Sequence, residues 1–371
     1  MNVLFVFGTR PEAIKLCPII LQLSAEPVRF SVQVCVTAQH RGMLDQVLNV
    51  FDVRPDYDLD VMRPSQTLNQ VTGRLIAALE PVMETANPDF VVVQGDTTTT
   101  LCGALAAFYR RVPLGHVEAG LRTGDLCEPF PEELNRVLTA RMAALHFAAT
   151  PGAAANLNAE GVAPDTVFVT GNSGIDAVLN VRGRLERDPQ PLPPFLIPGK
   201  KLILVTAHRR ESFGAGFEGL CHGIARIAER DDVQIVFPVH RNPNVTEPVE
   251  RILGALPRVT LLAPLEYVPF VDLMRRSYLL LTDSGGIQEE GPSLGKPVLV
   301  MRDKTERPEA VEAGTVRLVG TDPVRISNET CRLLDGPEEC ERMSRVHNPY
   351  GDGCASRRIS NAIYSFCKQK L

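Results

Sequence analysis

Four side chains along the sequence have the chemistry to move protons. Asp96, Glu118 and Glu132 are carboxylic acids, His208 carries an imidazole, and each can act as a general acid or base. Carboxylic acids that lie close together shift one another's pKa, which helps one of them to carry a proton. Sugar transfer with inversion usually needs a single base, so several acids in one site favour proton transfer at a carbon or at a sugar oxygen.

A glycine-containing turn has the chemistry of a phosphate site. The stretch 279–291 predicts a buried strand, a turn over Ser284, Gly285 and Gly286, and the first turn of a helix. Free N–H groups at a helix N-terminus attract phosphate. The acids that follow would repel phosphate, so at least one of them, such as Glu290, is expected to bind a neutral ribose hydroxyl. An ordinary strand-to-helix turn explains this stretch equally well.

The charged residues stand at similar places relative to the predicted strands. Arg10, Asp96 and Glu118 each fall just past the carboxyl end of an apolar run, and this edge of an open α/β sheet is where ligands bind. We therefore expect these three side chains to share one crevice. The apolar runs are Val3–Phe7, Phe90–Gln94 and Val112–Val117.

Three cations are candidates to neutralise a diphosphate in this crevice. Arg307, Arg10 and Lys15 could supply the charge, although a single surface ion pair contributes little. Glu132 and Glu133 open a predicted helix after a proline-rich loop. Acids in a first helical turn are also favoured by the helix dipole, so a structural role for both glutamates stays open.

Apolar runs alternate with helical stretches in both halves of the chain, which indicates an α/β protein with a doubly wound parallel sheet in each half. The turn cluster at 171–173 is the predicted boundary, and the prolines between residues 187 and 198 are assigned to a surface loop. The predicted domains are therefore 1–172 and 173–352, followed by a final helical segment, 353–371.

Composition limits the function classes. The net charge of −5 argues against a nucleic-acid or polybasic membrane role, and no apolar run approaches the length of a membrane span or signal peptide. Nine cysteines without a Cys-x-x-Cys pair indicate reduced thiols in a cytosolic protein. No histidine spacing suits zinc, and the turn at Gly8 after the first strand is not a Gly-x-Gly-x-x-Gly motif, so we infer neither a metal nor, from this turn, a dinucleotide cofactor.

Motifs spread over nearly the whole chain resemble those of the non-hydrolysing UDP-N-acetylglucosamine 2-epimerases. A single motif of this kind would be weak, but the complete set in this order is specific. The motifs lie at residues 7–15, 37–41, 95–100, 116–122, 131–133, 208–211, 283–290, 305–308 and 348–353.

The resemblance implies a GT-B fold, with two Rossmann-like domains facing each other across a deep cleft and the final helix crossing back to the first domain. It implies reversible conversion of UDP-GlcNAc to UDP-ManNAc without metal or nicotinamide. The implied route eliminates UDP to give a 2-acetamidoglucal and then adds UDP back with C2 inverted. It also implies a cytoplasmic homodimer, and it does not say which cell-surface polysaccharide pathway uses the product.

The resemblance also implies roles for individual residues, without saying which acid serves which face of C2. The implied catalytic set is Asp96, Glu118, Glu132 and His208. The implied binding set is Arg10 and Lys15 for substrate and diphosphate, Ser284, Gly285 and Gly286 for phosphate, Glu290 for the ribose, Arg307 for the leaving UDP, and Phe270 for the uracil.

Three positions depart from the family pattern. Gly42 replaces a Gln or Glu, and Ser65 replaces an Arg, in a second UDP-GlcNAc site that activates some bacterial members. The remaining residues of that site would be Gln39, Glu132, Arg209 and His240. Allosteric activation is therefore in question, whereas all implied catalytic positions match. Leu265 replaces a Gln near the uracil of some members.

Three alternatives to the epimerase remain open. A hydrolysing relative would release free ManNAc and UDP from the same site. A GT-B glycosyltransferase would move the sugar to an acceptor, because a fold does not fix a function, although the three acids disfavour it. A non-catalytic sugar-nucleotide sensor would bind tightly without conversion.

Overall fold

The structure is a computed structural model that describes residues 1–38, 41–63 and 65–369. Its contacts divide the chain into two compact units, Met1–Ala177 with Tyr350–Leu371, and Val178–Pro349. The two units are described separately below. Within the described part of the chain, no helix is both long enough and apolar enough to span a membrane.

The first unit is built on a seven-stranded parallel sheet. The strand order is β3-β2-β1-β4-β5-β6-β7, the doubly wound order in which direction reverses between β1 and β4. The elements are β1 (Asn2–Phe7), α1 (Arg10–Ser24), β2 (Ser31–Val36), α2 (Arg41–Val50), β3 (Tyr57–Asp58), α3 (Leu68–Ala86), β4 (Phe90–Gln94), α4 (Thr98–Tyr109), β5 (Leu114–Ala119), α5 (Glu132–Met142), β6 (Leu145–Ala148), α6 (Pro151–Ala159), β7 (Val167–Val169) and α7 (Ser173–Arg187).

The second unit repeats this topology with six parallel strands. Its order is β10-β9-β8-β11-β12-β13, with the reversal between β8 and β11. The elements are β8 (Lys201–Thr206), α8 (Ala215–Ile227), β9 (Val233–Pro238), α9 (Pro243–Leu253), β10 (Val259–Leu262), α10 (Tyr267–Arg276), β11 (Leu279–Thr282), α11 (Gly285–Ser293), β12 (Val298–Val300), α12 (Pro308–Ala313), β13 (Val316–Leu318), α13 (Pro323–Asp335) and α14 (Pro337–Arg345). The last helix of the chain, α15 (Ala355–Lys368), belongs to the first unit.

The central strands explain why these sheets are parallel and covered on both faces. Val3–Phe7 in β1 and Leu279–Leu281 in β11 are almost completely buried, as expected for continuous apolar runs between two helical layers. The predicted class, two Rossmann-like doubly wound domains of the GT-B type, is confirmed.

The division between the units falls inside α7, whereas the predicted boundary after residue 172 precedes this helix. The first turn of α7 stays with the first unit because Asp176 caps another of its helices. The carboxylate of Asp176 accepts the N–H groups of Ser356 at 2.8 Å and Ala355 at 3.3 Å, at the start of α15. Helix α15 then packs against α1.

Candidate active site

A buried carboxylate joins the two loops at the reversal point of the first sheet. Oε2 of Glu12 accepts the N–H groups of Gly8 at 3.1 Å and Thr9 at 2.7 Å, just after β1. Its Oε1 accepts the hydroxyls of Thr97 at 2.9 Å and Thr100 at 3.2 Å, just after β4. Burial raises the pKa of Glu12, and these donors act in the opposite direction. Glu12 therefore fixes the backbone around the candidate site.

Glu118 lies within β5 and not beyond its end, so the predicted strand end at Val117 is wrong. The register of β5 against β6 shifts between Val117 and Ala119, and Glu118 has φ of 61°, in the left-handed region. This bulge lets the strand continue while it redirects one side chain, a strained arrangement that is common beside active sites. Oε1 of Glu118 accepts a hydrogen bond from the ammonium of Lys15, and Oε2 accepts one from the side-chain amide of Gln94.

Asp96 follows β4 and has an unusual proton affinity. Burial raises the pKa of Asp96 to about 6, and the negative charges of Glu118 and Glu132 act in the same direction. The cations Arg136 and Lys15 oppose them, and Nη1 of Arg136 lies 3.4 Å from Oδ2 of Asp96. The charges of Glu118 and Glu132, both remote from Asp96 in sequence, therefore act on Asp96 at this edge of the sheet.

The backbone around Asp96 is held by two neighbours. His116 on β5 is fully buried, and its Nε2 lies 2.7 Å from the carbonyl oxygen of Gly95. Burial lowers the pKa of His116 to about 4, so its ring is neutral near pH 7 and can donate from Nε2. Asn135 donates to the carbonyl oxygen of Asp96 at 2.8 Å.

The two glutamates that open α5 have different environments. Glu133 is buried and accepts hydrogen bonds from Nε of Arg136 at 2.6 Å and from the N–H groups of Thr123 and Gly124 at 3.0 and 3.1 Å. These contacts give Glu133 a structural role. Glu132 keeps a buried Oε2 that accepts no hydrogen bond from the described residues. A buried carboxylate oxygen without a donor is costly and needs an explanation, so Glu132 is the functional candidate.

The reversal point of the second sheet is organised by Asp283. This residue follows β11 and is fully buried, and its Oδ2 accepts the N–H groups of both His208 and Arg209 at 2.7 Å, just after β8. The hydroxyls of Thr206 and Thr282, the last residues of these neighbouring strands, lie 2.6 Å apart. His208 is thereby held next to the start of α11.

The glycine turn opens α11 as predicted, but one of its N–H groups is engaged inside the protein. Ser284 is the N-cap, and its N–H donates to the hydroxyl of Thr282 at 2.9 Å. This N–H is therefore engaged inside the protein, and the role of Ser284 in binding phosphate stays a prediction. Gly285 and Gly286 are the first two residues of the helix, whose N–H groups point away from the helical hydrogen-bond ladder.

Arg307 lies over this turn. Its Nε donates to Oε1 of the buried Glu289 at 2.7 Å. A Cβ atom on Gly285 would lie only 3.1 Å from Cζ of Arg307, so the absence of a side chain admits the guanidinium. Glu289 is therefore committed to Arg307, which leaves the partly exposed Glu290 as the ribose candidate.

Arg302 connects two loops that the sequence analysis treated separately. Its Nε donates to Glu211, after β8, at 2.5 Å, and its Nη atoms donate to the two carboxylate oxygens of Glu306 at 2.8 and 2.9 Å. This bidentate pair lowers the pKa of Glu306 to about 2. The loop that carries Arg307 is therefore anchored to the loop that carries His208.

The remaining predicted residues lie at the same edges. Arg10 is exposed at the start of α1, Phe270 is partly buried on α10, and His240 follows β9. The rings of His240 and His208 stack with centroids 5.6 Å apart and planes inclined by 18°. Gln39, predicted for the second ligand site, lies outside the described residues.

Comparison with known proteins identifies the family of the chain. The sequence profile described as UDP-N-acetylglucosamine 2-epimerase matches residues 22–364. The UDP-N-acetylglucosamine 2-epimerase of Escherichia coli K12 is 58% identical over 370 residues, which cover 98% of each chain.

The chain belongs to the UDP-N-acetylglucosamine 2-epimerase family.

Solved structures of this family superpose closely on the chain. The epimerase from Neisseria meningitidis, crystallised with UDP-GlcNAc, has a TM-score of 0.90 and 48% identity, covering 98% of this chain and 100% of that one. The Staphylococcus aureus protein MnaA, crystallised with UDP, has a TM-score of 0.86 and 46% identity, covering 99% and 97%. A glycotransferase of kitacinnamycin, at 13% identity and a TM-score of 0.65, shares the fold alone.

For this family member, the structure groups the predicted residues within each unit. In the first unit Lys15, Asp96, Glu118 and Glu132 interact at one sheet edge, and Arg10 opens α1 there. In the second unit Arg307 lies beside Gly285 at the start of α11, and the backbone of His208, just after β8, is held by Asp283. Within the described part of the chain, no group of three or more His, Cys, Asp and Glu side chains is arranged to hold a metal ion.

The sequence analysis missed four residues that support the site. Gln94 holds Glu118, Arg136 contacts Asp96, Asp283 fixes the backbone of His208, and Arg302 joins two loops. Gln94 and Asp283 are polar residues at the ends of apolar strands, and this position was a usable signal. Arg136 lies three residues after Glu133, a helical ion-pair spacing that was also visible.

Proposed function

We propose that this protein converts UDP-GlcNAc to UDP-ManNAc, and back, without hydrolysing the sugar nucleotide. The observation that carries the proposal is the acid group of the first unit. There Glu118 is held by Lys15 and Gln94, while the pKa of Asp96 is raised to about 6. An acid with a raised pKa beside a second acid that is held by an ammonium and an amide suits an exchange of protons at a carbon.

The proposed reaction has two balanced steps. In the first, a carboxylate takes the proton from C2, a C1–C2 double bond forms, and the bond from C1 to UDP breaks. In the second, UDP adds back to C1 while an acid returns a proton to the opposite face of C2. Asp96, Glu118 and Glu132 are the candidate proton carriers, and the structure leaves their assignment to the two faces open.

The second unit would hold the nucleotide. The N-terminus of α11 at Gly285 and Gly286, with Arg307 above it, combines N–H donors with a fixed guanidinium, which suits a diphosphate. We assign Glu290 to the ribose hydroxyls and Phe270 to the uracil ring. In the first unit, Arg10 and Lys15 are the proposed contacts to the substrate.

The experiment is direct product analysis. Purified protein is incubated with UDP-GlcNAc and followed by proton and phosphorus NMR, and UDP-ManNAc is the expected product. Release of free ManNAc with UDP would support the hydrolysing alternative. Tight binding without any conversion would support a sensor and contradict an enzymatic role.

We propose that the active form is a homodimer. The adjacent helices α4 and α5 expose large apolar side chains, with Phe108, Tyr109, Leu134 and Leu138 exposed by 58, 68, 37 and 41%. Exposed apolar groups gathered on neighbouring helices are typical of an interface. Light scattering should give twice the chain mass of 40.6 kDa, and Leu138→Glu should give the monomer. A monomeric wild type would contradict this proposal.

Activation by a second UDP-GlcNAc molecule can be tested in the same assay. His240 and Arg209 both contact the His208 region, because His240 stacks on the His208 ring and Arg209 shares the carboxylate of Asp283. A ligand at His240 would therefore act directly on a catalytic candidate. A sigmoidal dependence of rate on UDP-GlcNAc would support activation, and a hyperbolic one would contradict it.

We also propose a cytoplasmic location, supported by the nine cysteines, all of which are free thiols in the structure. Fractionation of cells that express the protein tests this point. Recovery in the periplasmic fraction would contradict it.

A further inference from the structure

Asp283 has one carboxylate oxygen that its known contacts do not explain. Oδ2 accepts the N–H groups of His208 and Arg209, and the N–H of Asp283 itself donates to the carbonyl of Thr206 at 3.1 Å. Oδ1 is buried and accepts no hydrogen bond from the described residues. A fully buried carboxylate oxygen without a donor is rare in native proteins because its desolvation is not repaid.

A ring nitrogen of His208 is the candidate hydrogen-bond donor to this oxygen. Nδ1 of His208 lies 3.6 Å from Oδ1 of Asp283, slightly too far for a hydrogen bond. The side chain of His208 is 44% exposed, and its ring is confined on one face by the stacked ring of His240. A small rotation of the His208 ring within the plane of this stack would bring Nδ1 into hydrogen-bond range.

The same carboxylate also connects His208 to the candidate phosphate site. Asp283 directly precedes Ser284, which caps α11, so the residue that holds His208 is part of the turn that would hold the diphosphate. A ligand bound at that turn would therefore lie close to the backbone that carries His208. Arg209, held by the same carboxylate, is the charged neighbour of His208 along the chain.

We propose that Asp283 is a positioning residue that keeps a proton on Nδ1 of His208 and thereby reserves Nε2 for the nucleotide. Asp283 would act in two ways, through the backbone of His208 and through its ring. The role of Nε2 rests on the proposed function, since it would face the diphosphate that leaves and returns. The Nδ1–H tautomer itself is a property of the ligand-free protein.

Nitrogen NMR tests the tautomer without any assay of activity. The protein contains seven histidines, so selective 15N-histidine labelling gives a small set of ring signals, and His208→Gln assigns the signal of interest. At a pH where the ring is neutral, we expect His208 to carry its proton on Nδ1. In Asp283→Asn the side-chain amide can donate to Nδ1, so the proton should move to Nε2. A wild-type ring protonated on Nε2 would overturn the proposal, even if Asp283→Asn fails to fold.

A matched variant separates this effect from general loss of a buried carboxylate. Asp176 also accepts two backbone N–H groups but lies beside no histidine of the candidate site. Asp176→Asn should leave the His208 tautomer unchanged. If it changes the tautomer as much as Asp283→Asn does, the proposal is wrong.

Kinetics provide the second readout. Asp283→Asn should lower kcat about 10- to 100-fold, as expected for loss of a group that orients a catalytic imidazole, while affinity for UDP stays within about threefold of wild type. Equal kcat values would contradict the positioning role. If the wild-type protein shows no epimerisation, the proposed function fails, and the tautomer experiment still decides the pairing of Asp283 with His208.

Discussion

The two units fix their reversal-point loops with the same device but expose different chemistry beside it. In the first unit Glu12, after β1, uses a buried carboxylate to reach the loop after β4. In the second unit Asp283, after β11, uses a buried carboxylate to reach the loop after β8. The equivalent strand pairs are β1 with β4 and β8 with β11. The carboxylate follows the first strand of the pair in the first unit and the second strand of the pair in the second unit. Next to it, the first unit presents further acids, and the second presents a helix N-terminus with Arg307.

This comparison separates what the fold supplies from what the loops supply. Both sheets have the strand order that creates a crevice at the reversal point, and each reversal point needs a buried anchor. The residues beyond the anchor then decide whether the edge moves protons or holds an anion. If this division is correct, substitutions of the acids in the first unit should impair turnover, and substitutions of Arg307 beside the N-terminus of α11 should impair nucleotide binding.

The largest effect is expected from Asp96→Asn. Loss of the group whose pKa is about 6 removes a proton carrier, so kcat should fall by about 10³-fold or more. The dissociation constant for UDP, measured by calorimetry, should stay within about threefold, because Asp96 belongs to the first unit. Activity within tenfold of wild type would remove Asp96 from the mechanism.

The converse effect is expected in the second unit from Arg307→Ala. Removal of a charge-assisted contact to phosphate should weaken UDP binding by roughly 30- to 100-fold. Arg307→Lys keeps the charge but loses the forked geometry, so its loss of UDP affinity should be intermediate. Unchanged UDP affinity in both variants would break the proposed division of labour.

A smaller effect on turnover is expected from Gln94→Met, which keeps the length of the side chain but removes the amide that donates to Glu118. We expect kcat to fall about tenfold, because one orienting hydrogen bond to a catalytic carboxylate is lost. Gln33→Met is the matched control in the same sheet, because the amide of Gln33 donates to the hydroxyl of Tyr57, at 3.4 Å, and not to a candidate acid. Equal activity of the two variants would show that Gln94 has no orienting role.

The smallest effect concerns stability. The pKa of Asp96 rises from 3.8 to about 6 in the folded protein, so its neutral form favours folding. That contribution is complete below about pH 3.8 and is lost as pH rises through about 6. Asp96→Asn should therefore be more stable than wild type at pH 7.5, by about 1 kcal/mol, which is discounted because the side chain is 31% exposed.

Urea unfolding at two pH values measures this effect. The advantage of Asp96→Asn should shrink between pH 7.5 and pH 4, where the carboxyl of the wild type is largely neutral. An advantage that is the same at both pH values would show that it does not arise from ionisation of Asp96.

Much of the fold was predictable because buried parallel strands are short apolar runs bounded by turns. Phe90–Gln94 has the predicted bounds, and the final helix, Ala355–Lys368, lies within the predicted helical segment 353–371. Strand β3, with two residues, has no pattern that sequence reasoning can detect. The helix after β4 begins at Thr98 because Thr97 caps it with its side chain.

The candidate site was predictable in its residue types but not in its hydrogen bonds. The left-handed backbone of Glu118 depends on pairing with a neighbouring strand, so its place inside β5 could not be read from local sequence. The commitment of Ser284 N–H to Thr282 depends on a side-chain rotamer. Asp283 and Gln94 acquire their roles only when segments distant in sequence meet. Asp283 lies inside one of the predicted motifs, but the sequence analysis assigned no role to it.

The central claim is that protons are exchanged at C2 of a sugar that remains attached to UDP in the product. Incubation with UDP-GlcNAc in deuterium oxide tests it directly, with the C2 position followed by proton NMR. The account predicts UDP-ManNAc carrying deuterium at C2, with no accumulation of free ManNAc. UDP-ManNAc that retains the original C2 proton would contradict it.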